Sequence, residues 1–577
     1  MPEQYDVAII GGGPAGSTCA TFLRKYNPEL RVVVIERDEF PRDHVGESQL
    51  PTISKVLHEM GVWDKIEAAE FPVKLGATYR WGASDKLWDF NFIDPARVTD
   101  LPRPGTFEGV RTLTAFHVDR ARYDKILLDH AVELGAELRQ PARVSAVNTD
   151  PQSPDVITGL QLDDGSTIQA QWYVDATGHV GVLRRALDIG VTYPQKLKNI
   201  AMWNYFKDAK WPVRVGKNTT RVMILSIKCG WLWYIPLTDD KVSVGFVCPA
   251  DYYKQAGKTP EEMLTWAMSQ EPLIAELAID AQPLGDVQAT KDWSFVADRL
   301  YGANWFLAGD AAGFADPILA AGLTLTHSGA REVAYMLLEL FRAEHDEQWL
   351  KERYQDVQKT RINQHIRFAD FWYAGNGIFT DIEQNTANIA KDAGLRLNPK
   401  DAFRWLSTGG FSRDTLTSAS LIGIDFSLVM RATEKLTGRT KSDWAVAKHN
   451  VFKLNLRGAE EDVVPLLRDG RIIPTRCYLR GDKILPLAGY FQVIVAALEQ
   501  HDAIHEFVPW IADAIAAAEG TDADLEVHMQ QVMQTLESML IEGWVWAQKD
   551  PKKPMIAKNP TKPESPSMIK DAKTPHA

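Results

Sequence analysis

The sequence predicts an α/β fold that begins with a Rossmann-type nucleotide-binding unit, continues into an antiparallel sheet and ends in a mostly helical region. Three observations support this prediction. Residues 5–36 contain an apolar run, a glycine-rich turn, a small-residue stretch and a second apolar run, which is the order strand, turn, helix, strand. Runs of β-branched and aromatic residues occur around 74–93 and 199–248. After Gly322, apolar residues recur at helical spacing.

The 577 residues exceed what one hydrophobic core usually serves, so we expect two or three folding units. We assign residues 1–350 to one core, with its substrate-sheet segments at about 74–104 and 186–284. Residues 355–550 form a mostly helical C-terminal region, in which 445–500 includes a small hairpin between helices. The tail at 551–577 is rich in Lys, Pro and Ser, and we expect it to be disordered.

Composition excludes several classes of function. The net charge of −12 disfavours binding to nucleic acid or anionic lipid. The 4 cysteines are widely spaced and form no CxxC pair, which argues against a disulfide scaffold or a zinc site. His501 and His505 lie one helical turn apart, but no third ligand is suggested, so we predict no metal. The absence of a basic leader or a long apolar stretch leads us to expect a cytoplasmic protein with no membrane partner.

The glycine-rich turn has the pattern of a dinucleotide site. Gly11, Gly13 and Gly16 spell GxGxxG between a strand and a helix, and Glu36 ends the next strand. Such glycines allow the tight turn, the approach of a pyrophosphate and close helix packing, while the acid accepts hydrogen bonds from a ribose. The alternative is a glycine turn without a ligand. We assign cofactor contacts here to Gly11, Gly13, Ala15, Gly16, Glu36 and Arg37.

A second segment distinguishes the cofactor. An apolar strand at 305–308 ends in Gly309-Asp310, followed by small residues. This resembles the second FAD fingerprint of the aromatic-hydroxylase group of flavoproteins, and residues 117–120 (HVDR) and 174–178 (VDATG) are similar to its intermediate motifs. The resemblance implies FAD, an FAD-binding Rossmann-like unit of the aromatic-hydroxylase type, and cofactor contacts from Arg120, Gly309 and Asp310. No second GxGxxG occurs, so reduced nicotinamide would bind elsewhere or act on a separate flavin reductase.

The segment 230–236 (GWLWYIP) fits WxWxIP. Trp231 and Trp233 are two residues apart on a predicted strand, so both indoles face the same side and can form one flat wall. The alternative is a tryptophan-rich core strand, which is the usual explanation for an isolated pair.

With this segment, the N-terminal part resembles the flavin-dependent halogenases, including Gly46-Glu47-Ser48 and the run that begins at Lys74. The resemblance implies that reduced FAD, oxygen and chloride or bromide yield hypohalous acid, which travels to a lysine near the substrate. It also implies a role in secondary-metabolite biosynthesis. Lys74 matches that lysine, and Trp231 and Trp233 match the barrier between substrate and flavin. Glu47 and Ser48 are cofactor contacts by the same resemblance. The alternative for Lys74 is a solvated lysine at the start of a strand.

The loop at 316–322 leads into a predicted helix whose free amides attract an anion. We place a halide near Ala321 and Gly322, with Pro317 and Gly322 also contacting the cofactor; the alternative is ordinary helix entry. Halogenases of free tryptophan carry Glu-Ser where this chain has Leu319-Ala320. The closer resemblance is to the branch that includes the chloramphenicol halogenase, which implies a phenolic or acyl substrate, often tethered to a carrier protein. Asp292 is a candidate for covalent FAD attachment.

Two other functions fit the same sequence. One is a flavin monooxygenase or alkene reductase of the same fold. The other, from a different class, is a non-catalytic flavin-bound docking module for carrier proteins.

Overall fold

In the computed structural model, residues 3–81, 87–93, 95–98, 101–194, 197–291, 293–374, 445–481, 483–519 and 525–555 are described. Asp292, most of the predicted tail and the stretch at 375–444 of the predicted helical region lie outside these residues. The described residues divide into two compact units. The first contains residues 3–374, apart from 108–110, together with 467–472; the second contains 108–110, 445–466 and 473–555.

The strands and helices follow the chain in a mixed order. The strands are β1 (Glu3–Ile10), β2 (Val32–Ile35), β3 (Val73–Arg80), β4 (Trp88–Asn91), β5 (Ala115–Phe116), β6 (Glu137–Arg139), β7 (Val144–Asp150), β8 (Ser153–Leu162), β9 (Thr167–Asp175), β10 (Val191–Thr192), β11 (Asn199–Lys207), β12 (Thr219–Ile227), β13 (Gly230–Pro236), β14 (Lys241–Pro249), β15 (Gln282–Pro283), β16 (Gln288–Lys291), β17 (Phe295–Ala297), β18 (Trp305–Leu307), β19 (Gly313–Phe314), β20 (Val451–Leu454), β21 (Glu460–Arg468), β22 (Arg471–Arg480), β23 (Lys483–Pro486) and β24 (Val545–Gln548). The helices are α1 (Pro14–Tyr26), α2 (Pro51–Met60), α3 (Trp63–Ala68), α4 (Arg120–Glu133), α5 (Val182–Ala186), α6 (Ala250–Ala256), α7 (Pro260–Gln270), α8 (Pro272–Leu277), α9 (Gly322–Arg342), α10 (Glu347–Ala374), α11 (Ala445–Lys448), α12 (Gly489–Gln500), α13 (Ile504–Glu519) and α14 (Leu525–Ile541).

The Rossmann-type sheet has the strand order β6-β2-β1-β9-β8-β7, with β18 also paired to β9. Strands β2, β1, β9 and β18 run parallel, so Ile10 pairs with both Ile35 and Asp175, and Leu307 pairs with Asp175. The carboxyl ends of these four strands therefore meet at one edge, where a parallel sheet usually binds its ligand. The glycine turn, Glu36 and Gly309-Asp310 all follow strands at this edge.

The second large sheet has the order β15-β11-β14-β13-β12-β3-β4, with β16 on β11 and β5 on β3. Its neighbours are antiparallel, as predicted, except that β3 and β12 run parallel. The difference arises because the chain leaves β3 to build much of the Rossmann-type unit before it returns, so no hairpin joins these two strands. Val244, Phe246 and Leu232 are buried in a cluster that includes Met263 and Leu264 of α7. This face is filled, which leaves the opposite face for a site.

The second unit has its own core. One buried cluster is contributed by β20, by helices α12, α13 and α14, and by the turn before β24; it includes Phe452, Ile494, Phe507, Leu536 and Trp544. Strands β22 and β23 pair as the hairpin that the sequence predicts, with Cys477 opposite Pro486. Across the described parts of both units, no helix combines the length and the apolar character that a membrane span needs.

Candidate functional site

The glycine turn between β1 and α1 has the backbone geometry that its motif requires. Gly11 has a φ of +103°, and a Cβ atom at this position would stand 2.5 Å from the Ala176 carbonyl oxygen. A Cβ atom at Gly16 would overlap the Gly11 carbonyl oxygen. At Gly13, the nearest atom to such a Cβ is Nη2 of Arg42, at 3.3 Å. The turn is thus closed at Gly11 and Gly16 but open at Gly13, where a phosphate could approach the start of α1.

Arg42 provides positive charge at this opening, although no sequence motif singled it out. Its Nη1 atom is buried without a hydrogen bond and lies 3.7 Å from Oδ2 of Asp124. Its guanidinium stacks over Phe40 at 4.6 Å from the ring centre. A bound pyrophosphate would give this nitrogen an acceptor and would face the free amides of α1. The residues present therefore fit a dinucleotide cofactor.

Glu36 is buried beside the same turn, whereas Arg37 is exposed. The Glu36 carboxylate accepts hydrogen bonds from the amides of Gly12 at 2.6 Å and Asp38 at 2.9 Å. A carboxylate has about four lone-pair positions, so a ribose hydroxyl can still donate to it. The side chain of Arg37 is 56% exposed and pairs with Asp38 at 3.2 Å. The structure therefore places the carboxylate of Glu36 in the turn and the guanidinium of Arg37 in solvent.

The two fingerprint segments meet in space. Gly309 has a φ of +59°, and a Cβ atom there would lie 3.0 Å from Cβ of Ala15 and 3.4 Å from Thr326 Cγ2. Asp310 follows, and its Oδ1 lies 3.4 Å from the Thr326 hydroxyl. Burial raises the pKa of the Asp310 carboxyl, while positive charge on His179 and Arg120 opposes that rise. Since helices α1 and α9 both contact Gly309, the first and second FAD segments form one site.

Arg120 joins this site to the loop at 45–49. Its Nε and Nη2 atoms donate to the Asp124 carboxylate at 2.7 and 2.9 Å, and Nη1 donates to the carbonyl oxygens of Val45 and Gly46 at 2.8 and 3.2 Å. These contacts use most of the N–H donors of a guanidinium, which has about five. Arg120 therefore orders the loop and keeps a small remaining capacity for a cofactor contact.

Glu47 and Ser48 lie in that loop against the second sheet. The Glu47 carboxylate accepts from Tyr205 Oη of β11 at 3.0 Å and from the Gly46 amide at 3.3 Å. Burial raises the pKa of Glu47. Ser48 forms a β-bridge with His117, and its Oγ is buried without a hydrogen bond. The carboxylate thus ties the loop to the sheet, while the Ser48 hydroxyl is still available for a polar ligand.

Lys74 reaches the site face of the second sheet through a β-bulge. On β12, Thr220 pairs with Lys74 and the next residue, Arg221, pairs with Gly76, so Leu75 is the extra residue. Paired residues face the same side of a sheet, and neighbours along a regular strand face opposite sides. Lys74 consequently shares the face of Thr220 and Ile224, and Ile224 pairs with Trp233. Without the extra residue, Lys74 would point to the filled face.

The amine of Lys74 is buried rather than solvated. The side chain is 2% exposed, and Nζ donates to the Gln49 carbonyl oxygen at 2.8 Å. Burial lowers the pKa of Lys74 to about 7. A substantial fraction of the residue is then a neutral amine at neutral pH, which can act as a nucleophile or accept a proton.

Trp231 and Trp233 lie on the same face, and their ring centres are 5.9 Å apart. Their planes are inclined at 51°, so the pair does not form the flat wall that the sequence predicts. The reason is that Trp231 Nε1 donates to Tyr373 Oη at 3.0 Å, whereas Trp233 Nε1 donates to Ser243 Oγ at 3.1 Å. Each indole is buried and fixed by its own hydrogen bond, so the pair forms an angled barrier.

The loop before α9 is organised by Asp316. Its Oδ1 accepts from the Ile318 amide and from Tyr373 Oη, each at 2.9 Å, and burial raises the pKa of Asp316 to about 7. Pro317 begins a short 3₁₀ turn that ends at residue 319, and α9 begins at Gly322. No side chain caps the first turn of α9. The amides near Ala321 and Gly322 are therefore free in the way that an anion site requires.

Three residues near the site carried no sequence signal. Arg42 lies at the phosphate opening, His179 lies next to Asp310 at 3.6 Å, and Tyr373 joins Trp231 to Asp316. Tyr373 lies near the end of α10, far along the chain from both partners, so only the folded structure reveals this link.

His501 and His505 share an acidic neighbour. Each lies near Glu506, at 4.0 Å for His501 Nδ1 and 3.9 Å for His505 Nε2. In the portions of the chain with assigned structure, no group of three or more His, Cys, Asp or Glu side chains has the arrangement of a metal site.

Comparison with known proteins agrees with this geometry. A family model for the FAD binding domain matches residues 4–369. The 1H-pyrrole-2-carbonyl peptidyl-carrier-protein chlorinase of Pseudomonas fluorescens is 32% identical over an alignment of 393 residues, and the match covers 66% of this chain and 86% of the chlorinase. The chain belongs to the flavin-dependent halogenase family. It is accordingly an FAD-dependent oxidoreductase that uses a halide.

Other halogenases are also similar to this chain. A tryptophan 2-halogenase of Chondromyces crocatus is 29% identical, and the match covers 62% of this chain and 65% of that enzyme. The solved structure of the myxobacterial chondrochloren halogenase CndH is 25% identical with a TM-score of 0.60, covering 81% of this chain and 99% of CndH. CmlS, a flavin-dependent halogenase, shares the fold at 23% identity and a TM-score of 0.68, covering 95% and 96% of the two chains.

Proposed function

We propose that this halogenase uses reduced FAD, oxygen and chloride or bromide to halogenate a phenolic or activated acyl substrate, with Lys74 delivering the halogen. A separate flavin reductase supplies the reduced FAD, and both proteins work in the cytoplasm. The observation that supports the proposal most strongly is the Lys74 amine. It is buried, has a pKa of about 7, and shares one sheet face with the paired indoles.

The fixed groups of the chain would hold the cofactor at the carboxyl edge of the parallel strands. The Gly13 opening and Arg42 receive the pyrophosphate, Glu36 receives a ribose, and Asp310 receives a hydroxyl of the ribityl chain. Bound FAD in its reduced form would supply the electrons that activate oxygen. The amides near Ala321 and Gly322 would hold the halide through partial positive charge.

Trp231 and Trp233 separate the two halves of the chemistry. Along the sheet, Trp233 lies about four residues and Trp231 about six residues from the level of Lys74, which corresponds to about 13 and about 20 Å. Their rings are large, buried and fixed by hydrogen bonds. We infer that they keep the organic substrate away from the flavin while a small oxidant can pass to Lys74.

The neutral amine can then carry the halogen in two balanced steps. The Nζ lone pair attacks the halogen of hypohalous acid, forming an N–X bond while the released hydroxide takes one amine proton and leaves as water. The electron pair of the substrate carbon next attacks the same halogen, the N–X bond breaks, and the amine regains a proton that the substrate loses. Alternatively, the amine holds hypohalous acid by a hydrogen bond while the substrate attacks it directly. The first route requires the lone pair of a neutral amine, which burial provides, whereas the second needs only an N–H donor.

One observation supports a carrier-tethered substrate, and a second argues against free tryptophan. The chlorinase of Pseudomonas fluorescens acts on a pyrrole carbonyl group attached to a peptidyl-carrier protein. At 319–320 this chain has Leu-Ala in place of the Glu-Ser of free-tryptophan halogenases. A phenol, or the activated methylene of an acyl substrate, needs less help from such an acid in handling the charge that develops on the substrate.

The test supplies the full-length protein with a flavin reductase, FAD, oxygen and bromide, and offers phenolic and acyl groups both free and loaded on a carrier protein. We expect a product with the two-isotope pattern of bromine in mass spectrometry, and only when bromide is present. Oxygenated product without bromine would instead support the monooxygenase alternative. Flavin that is not turned over by oxygen would support the docking module.

A further inference from the structure

His179 lies beside Asp310 in a fixed orientation. It follows β9, and its ring packs against Phe295 and Phe314 with centres 5.8 and 5.6 Å apart. Its Nε2 atom is 3.2 Å from the Trp293 carbonyl oxygen, and its Nδ1 atom is 3.6 Å from Oδ2 of Asp310. Both ring nitrogens therefore have defined partners.

These partners fix the position of the protons. The Trp293 carbonyl can only accept a hydrogen bond, so Nε2 carries a hydrogen. In a neutral ring Nδ1 would then present a lone pair to the Asp310 carboxylate. This arrangement is repulsive unless a proton lies on Nδ1 or on the carboxyl group. A proton on either group would turn this repulsion into an attraction between His179 and Asp310.

Positive and polar groups face the pair from α4, α9 and α5, and at the end of β9 the Asp175 carboxyl accepts hydrogen bonds from the amides of Leu183 and Arg184. From α4, the Arg120 guanidinium acts on Asp310, and from α9 the Thr326 hydroxyl is 3.4 Å from its Oδ1. From α5, Arg184 Nη2 is 3.3 Å from the His179 carbonyl oxygen. The side chains of His179 and Asp310 are 45% and 22% exposed, so protons can exchange with solvent.

We propose that His179 is a positioning residue of the flavin site that shares one proton with Asp310. At a pH at which the pair has lost this proton in the free protein, FAD binding is accompanied by the uptake of one proton by the pair. The proposal depends on FAD lying against Asp310. It does not depend on the halogenation chemistry, so the two can fail separately.

The expected direction follows from the charges. When the pair holds its proton, the imidazolium neutralises Asp310, which remains an acceptor for a ribityl hydroxyl beside the negative phosphates of FAD. As pH rises and the proton leaves, the pair becomes net negative. It then repels the negative phosphates of FAD and disfavours the contact of Asp310 with the ribityl hydroxyl. The Kd for FAD should therefore increase with pH, by up to about tenfold per unit for one linked proton.

The test measures FAD binding to the full chain prepared without flavin from riboflavin-starved cells. Quenching of FAD fluorescence gives the Kd between pH 6 and 9, and calorimetry at pH 8.5 in phosphate and Tris buffers gives the number of protons taken up. We expect the wild-type Kd to increase at least tenfold across this range, with uptake approaching one proton per FAD at the upper end. His179→Gln, which keeps a donor for Trp293, should bind more weakly at pH 6 and show a Kd independent of pH.

His345→Gln is the matched control, because His345 Nε2 also lies near a carboxylate, Glu339 at 3.9 Å, and a carbonyl oxygen, that of Ile472 at 3.2 Å. It lies beyond the far end of α9, about 24 Å along the helix from Thr326, and should retain the wild-type pH dependence. A wild-type protein that binds FAD without proton uptake would overturn the proposal even if no variant folds. A His179→Gln protein with the wild-type slope would also overturn it.

Discussion

Burial of one amine is the physical basis of the chemistry proposed for Lys74, and it has a cost in stability. An exposed lysine has a pKa of 10.5, whereas that of Lys74 is lowered to about 7. Between these two pH values the unfolded chain binds a proton that the folded chain does not. Protein stability should therefore rise with pH across this window through this residue.

Replacing Lys74 with methionine should remove this dependence. We expect Lys74→Met to be more stable than wild type near pH 7, by up to several kcal/mol, and the difference to shrink towards pH 10. Urea unfolding at pH 7 and pH 9.5 measures both quantities. Equal differences at the two pH values would show that the amine is not buried in the unprotonated form.

The angled indole pair makes a separate prediction about product type. In the wild-type protein the indole ring of Trp233 lies over Gly245, where an added Cβ atom would overlap the ring. Trp233→Ala removes this ring and opens a space over Gly245. If the indoles exclude substrate from the flavin, this variant should form oxygenated product and more free peroxide, with at least about a tenfold lower ratio of halogenated to oxygenated product. Mass spectrometry measures the ratio.

Trp546→Phe is the control for this experiment, because Trp546 is 62% exposed and belongs to the second unit. It should keep the wild-type ratio. An unchanged ratio in Trp233→Ala would remove the barrier role from our account.

At the level of single residues, sequence motifs predicted the glycines, Glu36, Asp310, Lys74 and the tryptophan pair as candidates. They could not predict Arg42, His179 or Tyr373. These three act through contacts with residues that are distant in sequence, and nothing in their local pattern differs from that of an ordinary arginine, histidine or tyrosine. The angle between the indoles also depends on such contacts, since Tyr373 and Ser243 accept their hydrogen bonds.

Among the elements, the turn between β1 and α1 allows a test of the cofactor cradle. A Cβ atom at Gly16 would overlap backbone, whereas one at Gly13 would meet only the side chain of Arg42. We therefore expect Gly16→Ala to destabilise the protein by several kcal/mol. Gly13→Ala should change stability by less than about 1 kcal/mol but weaken FAD binding at least about tenfold.

Thermal unfolding without flavin and fluorescence titration with FAD separate the two effects. Gly12→Ala is a useful third variant, because a Cβ atom there would lie 3.2 Å from Glu36 Cβ and 3.3 Å from Leu128 Cδ2, so it tests close packing of the turn rather than the opening at Gly13. If Gly13→Ala bound FAD as wild type does, the pyrophosphate would not lie at this opening.

The bulge in β3 shows why element boundaries alone do not define a site. The sequence predicts the strand, and the period of two would assign its faces. Because β3 is buried on both faces, no alternation of polar and apolar residues marks the extra residue. The register with β12 does mark it, and this register brings Lys74 to the face of Trp231 and Trp233. The parallel pairing of these strands was likewise not visible in the sequence.

Across the whole molecule, the first unit combines both fingerprint segments, the loop at 45–49 and the second sheet in one site. Its composition and motif order were sufficient to predict the fold class, which the comparisons confirm. The relative most informative about substrate, the carrier-protein chlorinase, matches 66% of this chain.

If the substrate is carrier-tethered, the same aromatic or acyl group should react faster when loaded on a carrier protein than when free. We expect kcat/KM to be at least about 100-fold higher for the tethered form. The reason is that docking of the carrier protein positions the substrate before the reaction, which lowers the entropic cost of reaching the transition state. Competition between free and tethered substrates, followed by mass spectrometry of the products, measures the ratio. Equal rates would favour a free phenol.

The central claim is that oxygen is activated at the flavin, whereas the halogen is transferred to the substrate at a separate place, where Lys74 delivers it. The most direct test compares wild type, Lys74→Met and Lys351→Met, the last replacing another buried lysine, one paired with Glu347 on α10. Each is given reduced FAD, oxygen and bromide, and both flavin oxidation and brominated product are measured. The account predicts that Lys74→Met oxidises flavin within about twofold of wild type yet loses bromination at least about 100-fold, while Lys351→Met retains both. Bromination by Lys74→Met at a rate close to wild type would contradict it.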